Sequence, residues 1–167
     1  MNGSLYEFLS DDHNRLDGLL RRSLDASGQI DRAAYGEFRS GLLRHIAMEE
    51  RVLLPDIMRR QGGRPLPVAE RVRLDHGALA ALLVPPPSPS IITTIRSILQ
   101  VHNALEEQEG GLYITCEQVA GPEAEELLAK LKATPEVPVM PYNERPEVLE
   151  ATRRAVERAG YRLKQVP

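Results

Sequence analysis

Proline placement constrains this chain more than any other feature. Thirteen prolines occur in 167 residues, yet none falls in residues 1–54 or 90–121. They gather at Pro65 and Pro67, at Pro85, Pro86, Pro87 and Pro89, and between Pro135 and Pro146. Proline lacks an N–H and clashes with the preceding helical turn, so the free stretches are the places where long helices can run.

Apolar residues in these stretches recur at helical spacing, not in alternation. Leu5, Leu9, His13, Leu16 and Leu20 share one face of the first. Ala34, Phe38, Leu42, His45, Glu49 and Val52 or Leu53 share one of the second. Val68, Val72, His76, Leu79 and Leu83 mark a third. Ile91, Ile95, Ile98, His102, Leu105 or Glu106, Glu109, Leu112 and Cys116 mark a fourth. The pattern predicts helices near 4–25, 31–60, 66–84 and 90–119. Pro55 is expected to kink the second, and Gly110 and Gly111 to weaken the fourth. Connections at Gly28, at Gln61-Gly62-Gly63 and at the Pro-Pro-Pro-Ser-Pro run are short. Short connections make consecutive helices antiparallel neighbours, so the expected fold is all-α: an up-down-up-down four-helix bundle over residues 1–120. Residues 121–167 read as an extension. A short helix from Pro122 to about Lys132 is followed by a proline-rich linker and a last helix from Pro146 to Gly160. Val148, Ala155 and Ala159 form the stripe of that last helix, flanked by Ala151 and Val156. It is expected to dock on the bundle or on a second copy of the chain, as a homodimer.

Composition removes several functions. Net charge is −3, with 21 basic and 24 acidic side chains, which gives no footprint for nucleic acid or an anionic membrane. The longest apolar run, Ala78 to Val84, falls far short of the roughly 20 residues of a membrane span. Glu7, Asp11 and Asp12 leave no apolar leader near the start. A single cysteine excludes an internal disulfide or a cysteine-rich zinc site and suits a reducing cytoplasm.

The bundle repeats itself. Asp12-His13 opens D-H-x-x-L-x-x-L-L, and Asp75-His76 opens the same pattern. His45 to Glu50 and His102 to Glu107 both read H-x-A-apolar-E-E. What repeats is a polar set, and it uses all four histidines of the chain. At about 100° per residue, His45 and Glu49 lie about 40° apart around their helix, so both point to one side. His102 and Glu106 do the same. Four helices thus aim four imidazoles and two carboxylates at one axis. Two unpaired buried carboxylates would be costly, and a pair of divalent cations offsets that cost. Each metal can take two imidazoles while Glu49 and Glu106 bridge. Imidazole and carboxylate suit iron, manganese or zinc.

The neighbouring polar residues read less sharply. Glu50 and Glu107, rotated about 100° away, face solvent or a helix seam. Glu109 lies nearer the core face. Asp12 and Asp75 either orient a histidine on a neighbouring helix or stand solvated. Cys116 and Tyr113 read as core residues, and the Arg21-Arg22 and Arg153-Arg154 pairs as solvated faces.

With these motifs in hand, residues 5–118 resemble the hemerythrin-like family, also called the HHE cation-binding domain. The resemblance rests on D-H at 12–13 and 75–76 and H-x-x-x-E at 45–49 and 102–106. It implies a four-helix bundle with a non-haem centre of two iron ions, oxo- or hydroxo-bridged, with manganese or zinc as substitutes. Carried over by position, His13 and His45 hold one iron, His76 and His102 the other, and Glu49 and Glu106 bridge. One departure is that reversible oxygen carriers place a histidine where this chain has Ala80. A second is that their fourth-helix bridging residue is an aspartate one position further on. A six-coordinate ion here would keep about two open positions.

The resemblance therefore implies a soluble cytoplasmic protein that binds or senses oxygen, nitric oxide, peroxide or iron. No acid–base or nucleophile constellation stands outside the metal set. The alternative is a di-iron oxidase, peroxidase or ferroxidase, which an open metal position would also support.

Overall fold

The four expected helices form, but the second and the fourth are each broken once. The computed structural model describes residues 3–166. α1 spans Ser4–Ser23 and α2 Arg32–Met48. A π-helical turn, Glu49–Leu53, joins α2 to α3, Leu54–Arg60. α4 is Ala69–Leu82 and α5 Pro89–Glu107. α6, Leu112–Ala120, leads through a 3-10 turn at Gly121–Glu123 into α7, Ala124–Lys132. α8, Pro146–Arg158, closes the series. Among the described residues there is no strand, only an isolated bridge between Leu24 and Ile30.

The starts follow local chemistry. Asp31 accepts from the Ala34 N–H at 3.0 Å and Ser88 from the Ile91 N–H at 3.2 Å, satisfying donors that the first turn leaves free. The breaks do too. Pro55 has no N–H and crowds the turn before it, and just upstream the Leu54 N–H reaches back five residues to the Glu49 carbonyl. The expected kink is thus a π turn. In the fourth stretch, Gly110 adopts φ +74°, and a Cβ on Gly111 would lie 2.7–2.8 Å from the carbonyl oxygens of Leu105, Glu106 and Gln108. The expected weak spot is therefore a full interruption, which separates α6 from α5.

Two apolar clusters fill the bundle. One gathers Leu5, Leu9, Met48, Leu53, Ile57, Val72 and Cys116 with Leu127 and Leu131 of α7. The other gathers Leu16, Leu20, Phe38, Leu42, Leu79, Leu82, Ile95 and Ile98. α1 and α4 run from the first cluster to the second, and α2 and α5 run back, which is the up-down-up-down order. His13, His45, His76 and His102 all fall where their helix passes between the clusters. The polar set is thus a layer across the middle of the bundle.

α8 packs on α4 and buries Thr152, Val156 and Ala159. The sequence places Val148 and Ala155 on this stripe. They are half-buried, and Ala151 is exposed. Thr152 replaces them at the centre because its hydroxyl can reach the Ala81 carbonyl (3.1 Å).

Candidate metal centre

The six residues singled out by the repeat converge. Each carboxylate turns one oxygen to each histidine pair. Glu49 Oε1 lies 3.4 Å from His45 Nε2, and its Oε2 lies 3.0 Å from His76 Nε2. Glu106 Oε2 lies 3.3 Å from His13 Nε2, and its Oε1 lies 3.2 Å from His102 Nε2. Two four-residue groups result: His13, His45, Glu49, Glu106 and Glu49, His76, His102, Glu106. Within each, one donor atom per residue lies within 4.8 Å of the others. An ion about 2.1 Å from its donors separates opposite ones by about 4.2 Å, so each group is cation-sized. Both glutamates are fully buried.

The flanking carboxylates complete the two-fold pattern. Nδ1 of His45 donates to Asp12 Oδ2 (2.8 Å) and Nδ1 of His102 to Asp75 Oδ2 (3.2 Å). Nδ1 of His76 donates to Glu50 Oε1 (2.8 Å), and Nδ1 of His13 to Glu107 Oε1. So each D-H aspartate orients the histidine of the following H-x-x-x-E-E helix. Each second glutamate orients the D-H histidine of the other half. With Nδ1 engaged, every Nε2 faces the centre, the arrangement that metal-binding imidazoles need. The seam position of Glu50 and Glu107 is the one adopted, and Asp12 and Asp75 take the orienting role. Glu109 differs from its expected place: it is exposed, because the helix ends at Glu107 before its face would return to the core.

Charge in the centre is strongly coupled. Burial works against an imidazolium at His45, but Glu49 and Asp12 outweigh it and push the ring up to about 10. Glu106 and Asp75 do the same to His102, also to about 10. Burial alone would raise the carboxyl of Glu49, yet His45 and His76 hold it well below its ordinary value. Protons therefore sit where cations would neutralise the same carboxylates. Even so, the contacts are poorly angled: Glu49 Oε2, Glu106 Oε1 and His76 Nε2 are buried and make no well-aligned hydrogen bond, although each lies 3.0–3.2 Å from an opposing donor atom. Buried donor atoms that face one another without good hydrogen-bond geometry, all nitrogen or oxygen, fit a bound metal.

A family model for the hemerythrin HHE cation binding domain matches residues 4–134. The chain belongs to this family. No curated protein and no solved structure among those compared matches it. The HHE match reaches through α7, whose leucines share the first apolar cluster. No described helix is long and apolar enough to cross a membrane.

Tyr113 is the residue that sequence reasoning underrated. The break at Gly110-Gly111 lets α6 restart and carry Tyr113 back into the centre. There its hydroxyl lies 2.6 Å from Glu49 Oε1, 3.0 Å from Glu106 Oε2, 2.9 Å from His13 Nε2 and 3.3 Å from His45 Nε2. The Gly-Gly pair was the available signal, since a helix that must stop there can redirect the next apolar residues. On the other side, a cavity of about 320 Å³ reaches all four histidines between walls that include Leu16, Leu42 and Leu79, with Arg96 on its rim. Cys116 is a core residue, as expected, and burial pushes its thiol up, away from reactivity.

Proposed function

We propose that this HHE protein holds two iron ions and binds or senses a small ligand there, such as oxygen, nitric oxide or peroxide. The observation that carries this reading is the convergence of four Nδ1-anchored imidazoles on two fully buried glutamates. His13 and His45 would hold one ion, His76 and His102 the other, and Glu49 and Glu106 would bridge them. The iron pair supplies reversible electron transfer and open coordination positions. The chain supplies the rest. Asp12, Glu50, Asp75 and Glu107 fix the imidazole tautomers, and the first apolar cluster closes one side of the layer. A cytoplasmic setting is part of the same proposal.

The cavity favours a second reading. At about 320 Å³ it exceeds what a diatomic molecule occupies, so an organic co-substrate would fit an oxidase or peroxidase. One experiment separates the two. Reduced, iron-loaded protein is mixed with oxygen and with peroxide in excess. A single spectral transition supports binding or sensing; repeated turnover with consumption of the oxidant supports the enzyme. Failure to retain iron at all contradicts both.

A further inference from the structure

The two-fold repeat of the centre stops at one residue. Tyr113 lies seven positions beyond Glu106, and the matching position beyond Glu49 is Asp56. Asp56 is taken by Arg59 and Arg60 at the protein's periphery. Among the described residues, therefore, none mirrors Tyr113 on the His76–His102 side. Its hydroxyl sits among one donor atom of every residue in the first group: His13 Nε2, His45 Nε2, Glu49 Oε1 and Glu106 Oε2. The facing atoms of the second group pair with one another instead: Glu49 Oε2 lies 3.0 Å from His76 Nε2 and Glu106 Oε1 lies 3.2 Å from His102 Nε2.

We propose that Tyr113 is a seventh protein donor, binding the His13–His45 ion alone, so that the two ions are inequivalent and the His76–His102 ion takes the exogenous ligand. This rests on the two-metal reading above. Coordination counting leads to the same asymmetry. The first ion gains two imidazoles, two carboxylate oxygens, the tyrosine oxygen and one bridging oxygen, which fills an octahedron. The second has the same set without tyrosine and keeps one position open. The phenol proton leaves to solvent as the ion binds, as for other ligands that must be deprotonated. Packing holds Tyr113 in place. It is fully buried in the first apolar cluster, and the Tyr6 ring meets it edge-on at 6.2 Å. It closes that face of the centre, which leaves the cavity on the opposite face as the approach for a ligand. Arg96 at the cavity rim donates to the Leu20 carbonyl and pairs with no carboxylate among the described residues, which suits a small anion passing inward.

The test uses the full chain loaded with ferric iron, and Tyr113→Phe prepared identically. Metal analysis comes first: two ions per chain in the wild type are required by the underlying reading, and fewer would overturn that reading separately. The proposal then predicts a visible phenolate-to-iron charge-transfer band in the wild type, with tyrosine ring modes in its resonance Raman spectrum. Both vanish in Tyr113→Phe while two ions are retained. Azide, as the probe anion, should perturb one of two distinct iron Mössbauer signals in the wild type. A wild-type protein with two ions and no phenolate band overturns the proposal, whether or not the variant folds. Identical spectra for wild type and variant overturn it as well.

Discussion

Glu50 Oε1 accepts a hydrogen bond from Nδ1 of His76 at 2.8 Å, across the seam between the π turn and α4. Glu107 stands in the same relation to His13. The doubled glutamates of H-x-A-x-E-E thus divide their labour, the first facing the centre and the second turning an imidazole on a neighbouring helix toward it.

Replacing Glu50 by alanine should therefore weaken metal retention without unfolding the bundle. Loss of a carboxylate that orients a metal-bound histidine typically costs about 10- to 100-fold in affinity. Competition with a chelator, run beside Glu109→Ala as an exposed control, gives the comparison. Equal retention in the two variants would mean that His76 is not a ligand.

The metal-free protein should show a bounded pH window of stability. His45 and His102 titrate near 6.5 when unfolded and are pushed up to about 10 in the fold. A raised value gives stabilisation that is complete below about pH 6.5 and is lost as pH rises toward 10. Glu49 and Glu106 are lowered from 4.5, so their contribution is present above about pH 4.5 and is lost on acidification. The melting temperature should peak between these limits. A Tm that rises up to about pH 6.5 and then stays level to about 9 would show that the imidazoles are held neutral.

Gly111→Ala should destabilise by about 1–3 kcal/mol, because its Cβ meets three backbone carbonyl oxygens that no side-chain rotation can move. Tyr113 and Glu106 flank the displaced segment, so iron retention should fall too. Gly36→Ala in the second turn of α2, where a Cβ meets nothing within 4 Å, is the matched control and should be neutral or stabilising. Denaturant melts of both variants provide the measurement.

The C-terminal arm should report on one half of the centre only. Arg71 donates to Asp75, the partner of His102, and to the Ala159 carbonyl at the end of α8. The Tyr161 ring lies 5.4 Å from the same guanidinium. Among the described residues, Asp12 has only Arg15 of its own helix in that role. Arg71→Ala is expected to speed hydrogen exchange in residues 146–161 and to lower the retention of one ion of the pair. Unchanged exchange there would show that α8 is held by Val156 and Ala159 alone.

Much of this architecture was legible because proline gaps and helical spacing are strong, local signals. The polar layer was legible because histidines and glutamates repeated inside apolar stripes are costly to bury unless something neutralises them. Three features lay beyond that kind of reading. The π turn at Glu49–Leu53 depends on how the chain relieves Pro55, which no period reveals. The inward return of Tyr113 depends on the direction of α6 after the Gly110-Gly111 break. The partners of Glu50 and Glu107 lie on other helices, so only packing could pair them.

The two-iron centre itself is best tested by anaerobic titration of the metal-free chain with ferrous iron, followed by exposure to oxygen. Binding should saturate at two iron per chain, and an oxo-bridged ferric absorption band should then appear. Saturation at one iron or none, or displacement of iron by stoichiometric zinc under the same conditions, would contradict a di-iron site built from these six residues.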